Sequence, residues 1–107
     1  MDILNAIQNC FQKDKVYYSQ HAKFEMENES FGQIKDQEIF ECIMSGQIIK
    51  SYTDDKPYPS VLIFGITNNS RPLHCVCAYN EKDNLVIVVT VYHPDPTLWI
   101  DYKVRRK

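Results

Sequence analysis

Two apolar segments in the C-terminal half, joined by a short polar loop, constrain the fold of this chain more than any other feature. Leu73–Tyr79 and Leu85–Tyr92 are rich in Val, Ile and Tyr, and residues 80–84 between them are all polar. β-Branched and aromatic residues favour strands, and a polar loop between two such runs is typical of a hairpin. We therefore predict an antiparallel hairpin across this stretch.

The register of the hairpin decides which side chains meet at its open end. If Tyr79 lies opposite Leu85, antiparallel pairing places His74 opposite Thr90. Four side chains suited to acid–base or phosphate chemistry then gather there: Arg71, His74, Thr90 and Tyr92. This end is either a functional site or only the polar rim of a sheet.

The N-terminal half has the spacing of helices. Apolar residues recur on one face in three segments, which we predict as helices: residues 2–13, residues 20–28 and the short segment between Asp36 and Gly46. Asp2, Ser19 and Asp36 are placed to cap their N-terminal ends. Gly46 is expected to end the third helix in the left-handed conformation that glycine favours.

After Gly46 the apolar period changes to two. Gln47–Tyr52 and Ser60–Thr67 are predicted strands, and Gly65 marks either a bulge or a close approach of two backbones. With the hairpin they give an α+β, two-layer domain over residues 1–107. Its predicted parts are helices over about residues 2–45, a four-stranded antiparallel meander over about 47–92, and a tail over 93–107.

The tail combines prolines, aromatic residues and cations. Pro94 and Pro96 prevent a simple continuation of the last strand, whereas Trp99 and Tyr102 are expected to fold back onto the sheet. The chain carries −5 over residues 1–55 and +3 over residues 56–107, counted from its Lys, Arg, Asp and Glu residues. A basic tail permits an anionic partner, although a merely solvated terminus explains the same residues.

Targeting and cofactor signals are missing from the sequence. The longest apolar run is far shorter than the roughly 20 residues that span a bilayer, and MDILNAIQNC lacks the basic start of a signal peptide. We therefore expect a cytoplasmic protein without a membrane partner. No phosphate-binding or dinucleotide-binding motif is present, so no small-molecule cofactor is expected.

The four cysteines are expected to be reduced and mostly buried. Cys75 and Cys77 are two apart on a predicted strand, so they point to one face and are poorly placed to bond each other. His74 points to the other face, which argues against a zinc site in the sequence H-C-V-C. We predict no metal site.

Other candidate residues have ordinary alternative roles. His21 lies in the first turn of the second helix, where the helix dipole favours a neutral imidazole that can act as a base; it equally suits packing or capping. Lys23 suits an ion pair along the same helix. His93 is expected to be exposed beside Pro94.

Four short motifs resemble those of a known family. They are Tyr18–Met26 (YSQHAKFEM), Gly46–Ile49 (GQII), Arg71–His74 (RPLH) and Thr90–Asp95 (TVYHPD). Their order and spacing are similar to those of domain-of-unknown-function family 4258, whose first motif is H-A-x-x-R-M. The resemblance covers about residues 17–106. One departure is Glu25, which stands where the family pattern has Arg.

The resemblance implies the fold of RelE- and MqsR-type toxins, which are metal-independent ribonucleases. It implies RNA as a substrate and an antitoxin protein as a second partner. Expected catalytic residues are His74, His21, Tyr92 and Thr90, and expected substrate-binding residues are Arg71, Lys23, Arg105 and Arg106. The alternative is a non-catalytic protein-binding domain that keeps the toxin fold, which the negative charge of Glu25 favours.

Overall fold

The computed structural model describes residues 2–107, which form three helices, a five-stranded sheet and a small hairpin. The helices are α1 (Ile3–Gln12), α2 (Gln20–Asn28) and α3 (Asp36–Met44). The strands are β1 (Val16–Tyr18), β2 (Gln47–Tyr52), β3 (Ser60–Ile66), β4 (Pro72–Asn80) and β5 (Leu85–Tyr92), followed by β6 (Trp99–Ile100) and β7 (Val104–Arg105). None of the helices within residues 2–107 combines the length and apolarity needed to cross a membrane.

The α+β prediction is confirmed, but the sheet is mixed and has a fifth strand. Its order is β1-β5-β4-β3-β2, and β1 runs parallel to β5 with Val16 opposite Val86 and Tyr18 opposite Val88. The prediction of a four-stranded antiparallel meander was therefore wrong at this edge. The three residues of β1 are too few to show an alternating pattern, and their partner strand, β5, lies about 70 positions later in the chain.

The predicted register of the β4–β5 hairpin was also wrong. Asn80 belongs to the strand and pairs with Leu85, and a bulge at Val89 shifts the ladder again. His74 therefore lies opposite Tyr92, and Thr90 lies opposite Val76.

Helix ends follow local chemistry, with two corrections. As predicted, Asp2 accepts hydrogen bonds at the start of α1 and Ser19 accepts one from the Ala22 amide, 3.0 Å, at the start of α2. Lys35, not Asp36, occupies the cap position of α3. Gly46 does not adopt a left-handed conformation. A Cβ there would lie 2.5 Å from Ile63 Cγ2, so close packing is what requires glycine.

The helices pack on one face of the sheet. The core between them contains Ile7, Cys10, Ile39, Cys42 and Ile43 from the helices and Ile63, Leu73, Cys75, Cys77, Val86, Val88 and Val91 from the strands. Gly65 allows β3 to approach α3, since a Cβ there would lie 1.9 Å from the Cys42 carbonyl oxygen. Close approach, rather than a bulge, is thus the role of this glycine.

We call the opposite side of the sheet the open face. Cross-strand pairs place two rows there: Lys50, Leu62, Val76 and Thr90, and then Phe64, His74 and Tyr92. As predicted, Trp99 and Tyr102 fold back onto it: Trp99 packs on His74 with 4.4 Å between ring centroids, and Tyr102 stacks on Phe64 at 6.1 Å.

Candidate active site

A cavity of about 570 Å³ lies between the open face and the β6–β7 hairpin, and we call it the tail groove. It is rich in cations and aromatic rings: Lys50, Tyr52, Tyr92, Trp99, Lys103 and Arg105. Lys50 and Tyr52 point the same way from β2. The other two cations, Lys103 and Arg105, come from the tail. The Arg105 guanidinium lies 5.8 Å from the Trp99 ring centroid, a cation–π distance.

His74 lies beneath this groove and is fully buried. One ring nitrogen, Nε2, is hydrogen-bonded to the Tyr102 carbonyl, and Nδ1 lies 3.1 Å from the Tyr92 hydroxyl. A carbonyl only accepts, so Nε2 carries the proton and donates it. Burial lowers the pKa of His74, while the Tyr102 carbonyl opposes that shift. The neutral ring therefore has an unprotonated Nδ1, which accepts a hydrogen bond from the Tyr92 hydroxyl.

Tyr92 is the link between His74 and the tail groove. Burial raises the pKa of Tyr92 to about 12, Tyr52 and Glu25 raise it as well, and Arg105 lowers it. The phenol is therefore protonated at neutral pH and is a hydrogen-bond donor. Tyr92 lines the groove together with Arg105.

Thr90 and His21 are connected through Glu25. Glu25 accepts a hydrogen bond from the Thr90 hydroxyl and another from the Val91 amide, 3.0 Å. Its second oxygen lies 3.4 Å from His21 Nε2, and the His21 side chain is 67% exposed. Thr90 and Tyr92 are two apart on one face of β5, so the Thr90 end of these contacts lies about 7 Å along the strand from Tyr92. His21, at the other end, does not line the tail groove.

The position of Glu25 explains why a carboxylate is tolerated there. Beyond the end of β1, α2 lies along the edge of β5 and supplies side chains to its free backbone groups. Ser19 donates to the Val89 carbonyl, 3.0 Å, and Glu29 accepts from the His93 amide, 2.9 Å. Glu25 likewise accepts a hydrogen bond from the Val91 amide. A carboxylate is well suited to this role because it only accepts hydrogen bonds when ionised.

Arg71 does not join the other candidates, and its guanidinium is already in use. It donates to both oxygens of Glu38, at 3.2 Å, and to the Gln33 and Gly32 carbonyls. Its Nε donates to His93 Nδ1, 3.2 Å. These bonds tie the α2–α3 loop to the start of β4 on the helix side. The predicted cluster of Arg71, His74, Thr90 and Tyr92 was therefore wrong with respect to Arg71.

His93 is half-buried rather than exposed as predicted. Its ring stacks on Phe31 with 4.5 Å between centroids. Burial lowers the pKa of His93, the Arg71 charge lowers it further, and Glu29 and Glu38 oppose the shift.

The three remaining predicted substrate-binding residues lie in two places. Arg105 lines the tail groove, and Arg106 is exposed beside it with Nε directed at the Pro96 carbonyl, 3.4 Å. Lys23 lies away from both, in a separate cavity between α2 and α3. The structure thus brings Arg105 to Tyr92 and leaves Lys23 outside the tail groove.

Sequence reasoning missed Lys50, Tyr52, Trp99 and Lys103 as lining residues. Lys50 and Tyr52 are two apart in a predicted strand, which places both on one face. That spacing was a usable signal. That this edge strand and the tail some 50 residues later line one groove was not visible in any local pattern.

All four cysteines are free and buried, as predicted. Cys75 and Cys77 point into the core with 3.5 Å between their sulfur atoms. Burial raises the pKa of the Cys42 thiol well above its usual value. Within residues 2–107, no group of three or more His, Cys, Asp or Glu side chains is arranged to hold a metal ion.

Comparison with known proteins gives one match. The model of the family described as "Domain of unknown function (DUF4258)" matches residues 18–93, which is well over half of the 107 residues. Neither the curated proteins nor the solved structures contain a match to the chain. The matched region includes His21, Glu25, His74, Thr90 and Tyr92, whereas the hairpin that covers His74 follows it.

Proposed function

The chain belongs to the DUF4258 family, and we propose that it is a metal-independent endoribonuclease of the RelE/MqsR toxin type. The observation that carries the proposal is the Tyr92 hydroxyl, held by buried His74 inside a groove that three cations line. The proposed action is cytoplasmic, and an antitoxin protein is the proposed regulatory partner.

The tail groove suits a single-stranded RNA. Lys50, Lys103 and Arg105 supply positive charge for a phosphate, and Tyr52 and Trp99 supply rings on which bases stack. Stacking platforms combined with cations are typical of proteins that bind single strands. An RNA backbone in this groove passes beside the Tyr92 hydroxyl.

Tyr92 is the proposed general acid. Its phenol is protonated at neutral pH because its pKa is about 12. Rotation about the C–O bond turns the proton from His74 Nδ1 to the leaving 5′-oxygen without moving the ring. His74 is therefore a positioning residue: it holds Tyr92 and does not touch the substrate.

His21 is the proposed general base. Glu25 holds its Nε2, so a neutral His21 that donates from Nε2 has a free lone pair on Nδ1. It removes the 2′-hydroxyl proton, the 2′-oxygen attacks phosphorus, and Tyr92 protonates the departing 5′-oxygen. The products are a 2′,3′-cyclic phosphate and a 5′-hydroxyl. Thr90 positions Glu25, and Arg105 with Arg106 and Lys103 neutralises the charged phosphorane.

The test is cleavage of an end-labelled single-stranded RNA by the wild type, Tyr92→Phe and His21→Ala. We expect each variant to lose about 100-fold or more in rate, the scale of general acid–base catalysis. Tyr17→Phe is the matched control, because Tyr17 is an exposed tyrosine of the same sheet. Wild-type rates in folded Tyr92→Phe would refute the assignment.

A non-catalytic protein-binding domain is the second candidate. The observation that favours it is the burial of His74, which leaves only Tyr92 and His21 accessible for proton transfer. A wild-type protein that binds no RNA at low salt and cleaves none supports this function. Binding that weakens steeply as salt rises supports the ribonuclease.

A further inference from the structure

The free edge of β1 has the hydrogen-bonding groups of an unfinished sheet. Lys15 accepts from the Val86 amide, 3.1 Å, and Ser19 donates to the Val88 carbonyl, 3.0 Å. A parallel strand uses alternate residues for one neighbour, so Tyr17 also faces β5. The N–H and C=O groups of Val16 and Tyr18 therefore point away from the sheet, and no partner for them is found within residues 2–107.

Two cavities lie side by side along this edge, on the helix side of the sheet. One is about 410 Å³ and the other about 200 Å³, and both are lined by Tyr18 and Asp36. We call them together the edge trough. Its walls include the end of α1, the middle of α2 and the first half of α3.

The linings of the two cavities differ in chemistry. The larger combines apolar Tyr18, Met26 and Ile34 with charges of both signs. The smaller has Phe11, Val16 and Phe40 around two carboxylates, Asp14 and Asp36, and no cation lines it. An apolar side chain fits the first. A lysine or arginine fits the second, because its aliphatic stem packs on the rings while its charged end meets the carboxylates.

We propose that the edge trough binds an extended segment of another protein, which adds a strand to β1 and carries an apolar and a basic residue two positions apart. A strand laid on β1 sends alternate side chains to the helix side, about 7 Å apart. Two such side chains enter the two cavities, while its backbone bonds Val16 and Tyr18. Backbone bonds supply affinity and the pockets supply specificity in this mode of recognition.

Charge complementarity supports a basic partner. Residues 1–55 contain five lysines and ten acidic residues, a net charge of −5. The other sheet edge is less suited, because a bulge between Ile48 and Lys50 interrupts the spacing of its free groups. The edge trough and the tail groove share no lining residue, so this proposal does not depend on the ribonuclease.

The test uses the full chain and two pools of fluorescent peptides of about nine residues. One pool carries Leu and Arg two positions apart in either order, and the other has Glu in place of Arg. We expect the Arg pool to bind at least about tenfold more tightly. Asp14→Asn combined with Asp36→Asn removes that preference. Equal affinities, or no binding of either pool, overturn the proposal.

Hydrogen exchange then locates the bound peptide. We expect the amides of Val16 and Tyr18 to become protected, while that of Tyr17, already bonded to β5, changes little. Protection at other sites overturns the proposal. Protection of the same two amides in the free protein that rises with protein concentration also overturns it, because the occupant is then a second copy of the chain.

Discussion

Burial of His74 has a consequence for stability against pH. In the unfolded chain this imidazole takes up a proton near its ordinary pKa of 6.5, whereas in the folded protein burial lowers the pKa. The unfolded state therefore binds more protons as the pH falls. The contribution of His74 is complete above pH 6.5 and is lost as the pH falls through the folded pKa. His93 acts in the same direction.

We expect the free energy of unfolding to fall between pH 7 and pH 5 in the wild type, and to fall less in His74→Gln. Denaturant titrations at each pH measure it. His93→Gln is the control, since it removes the second histidine and keeps the contribution of His74 to the pH dependence of the free energy of unfolding. An unchanged slope in His74→Gln would show that its ring titrates as it does in the unfolded chain.

Gly65 makes a second prediction at this scale. A Cβ at this position would lie 1.9 Å from the Cys42 carbonyl oxygen, and neither backbone can move without separating β3 from α3. We expect Gly65→Ala to cost about 3 kcal/mol or more of folding stability, at the upper end for overpacking. Thermal unfolding measures the loss.

Gly32→Ala is the comparison for Gly65→Ala. A Cβ on Gly32 would meet Arg71 Nη2 at an ordinary contact distance of 3.9 Å, but φ is 113°, so the added Cβ meets backbone strain rather than a clash. Its cost is about 1–2 kcal/mol. Should Gly32→Ala prove more harmful than Gly65→Ala, contact between β3 and α3 is looser than the structure indicates.

At the scale of elements, side chains of α2 bond the edge of β5 where a longer β1 would otherwise pair with it. Glu25→Ala leaves the Val91 amide and the Thr90 hydroxyl without their acceptor. We expect a loss of about 1–3 kcal/mol, the cost of unpaired buried groups, and faster hydrogen exchange at Val91. Glu27→Ala on the same helix is the control, because Glu27 is exposed. Equal exchange rates at Val91 in both variants would contradict the edge role of α2.

Periodicity was sufficient for the elements that are long and amphipathic, and insufficient for contacts that depend on the assembled sheet. The bounds of α2, β2 and β5 agree with the sequence pattern. The register failed because Asn80 looks like a loop residue yet continues β4, bonding Tyr58 and Asp83 through its side chain. The cover over His74 comes from two-residue strands, which have no pattern of their own.

At the scale of the whole molecule, charge is divided between the two halves of the chain. Residues 56–107, which supply most of the tail groove lining, have a net charge of +3, and residues 1–55 have −5. The acidic α3, which carries Asp36, Glu38 and Glu41, therefore repels RNA while the open face attracts it. Orientation in solution follows from this division before any specific contact forms.

The salt dependence of RNA binding measures how many cations the tail groove uses. We expect log Kd to rise linearly with log salt concentration, and Lys50→Gln, Lys103→Gln and Arg105→Gln each to reduce the slope by about 0.7, the value for single strands. Lys82→Gln, in the β4–β5 loop outside the groove, is the control. If the slope falls only in Lys82→Gln, RNA binds at the opposite end of the sheet rather than in the tail groove.

The pairing of β1 with β5 sets the order in which the protein is completed on the ribosome. The longest-range contacts of the first thirty residues join them to partners far along the chain: Cys10 to Asn84, Ser19 to Val89 and Glu25 to Val91, at separations of 74, 70 and 66 residues. The N-terminal segment therefore waits, without its sheet, until β5 has been synthesised and released from the exit tunnel. Closure of so long a loop makes this a late step of folding, and β1 is the strand that finishes the sheet although it is made first.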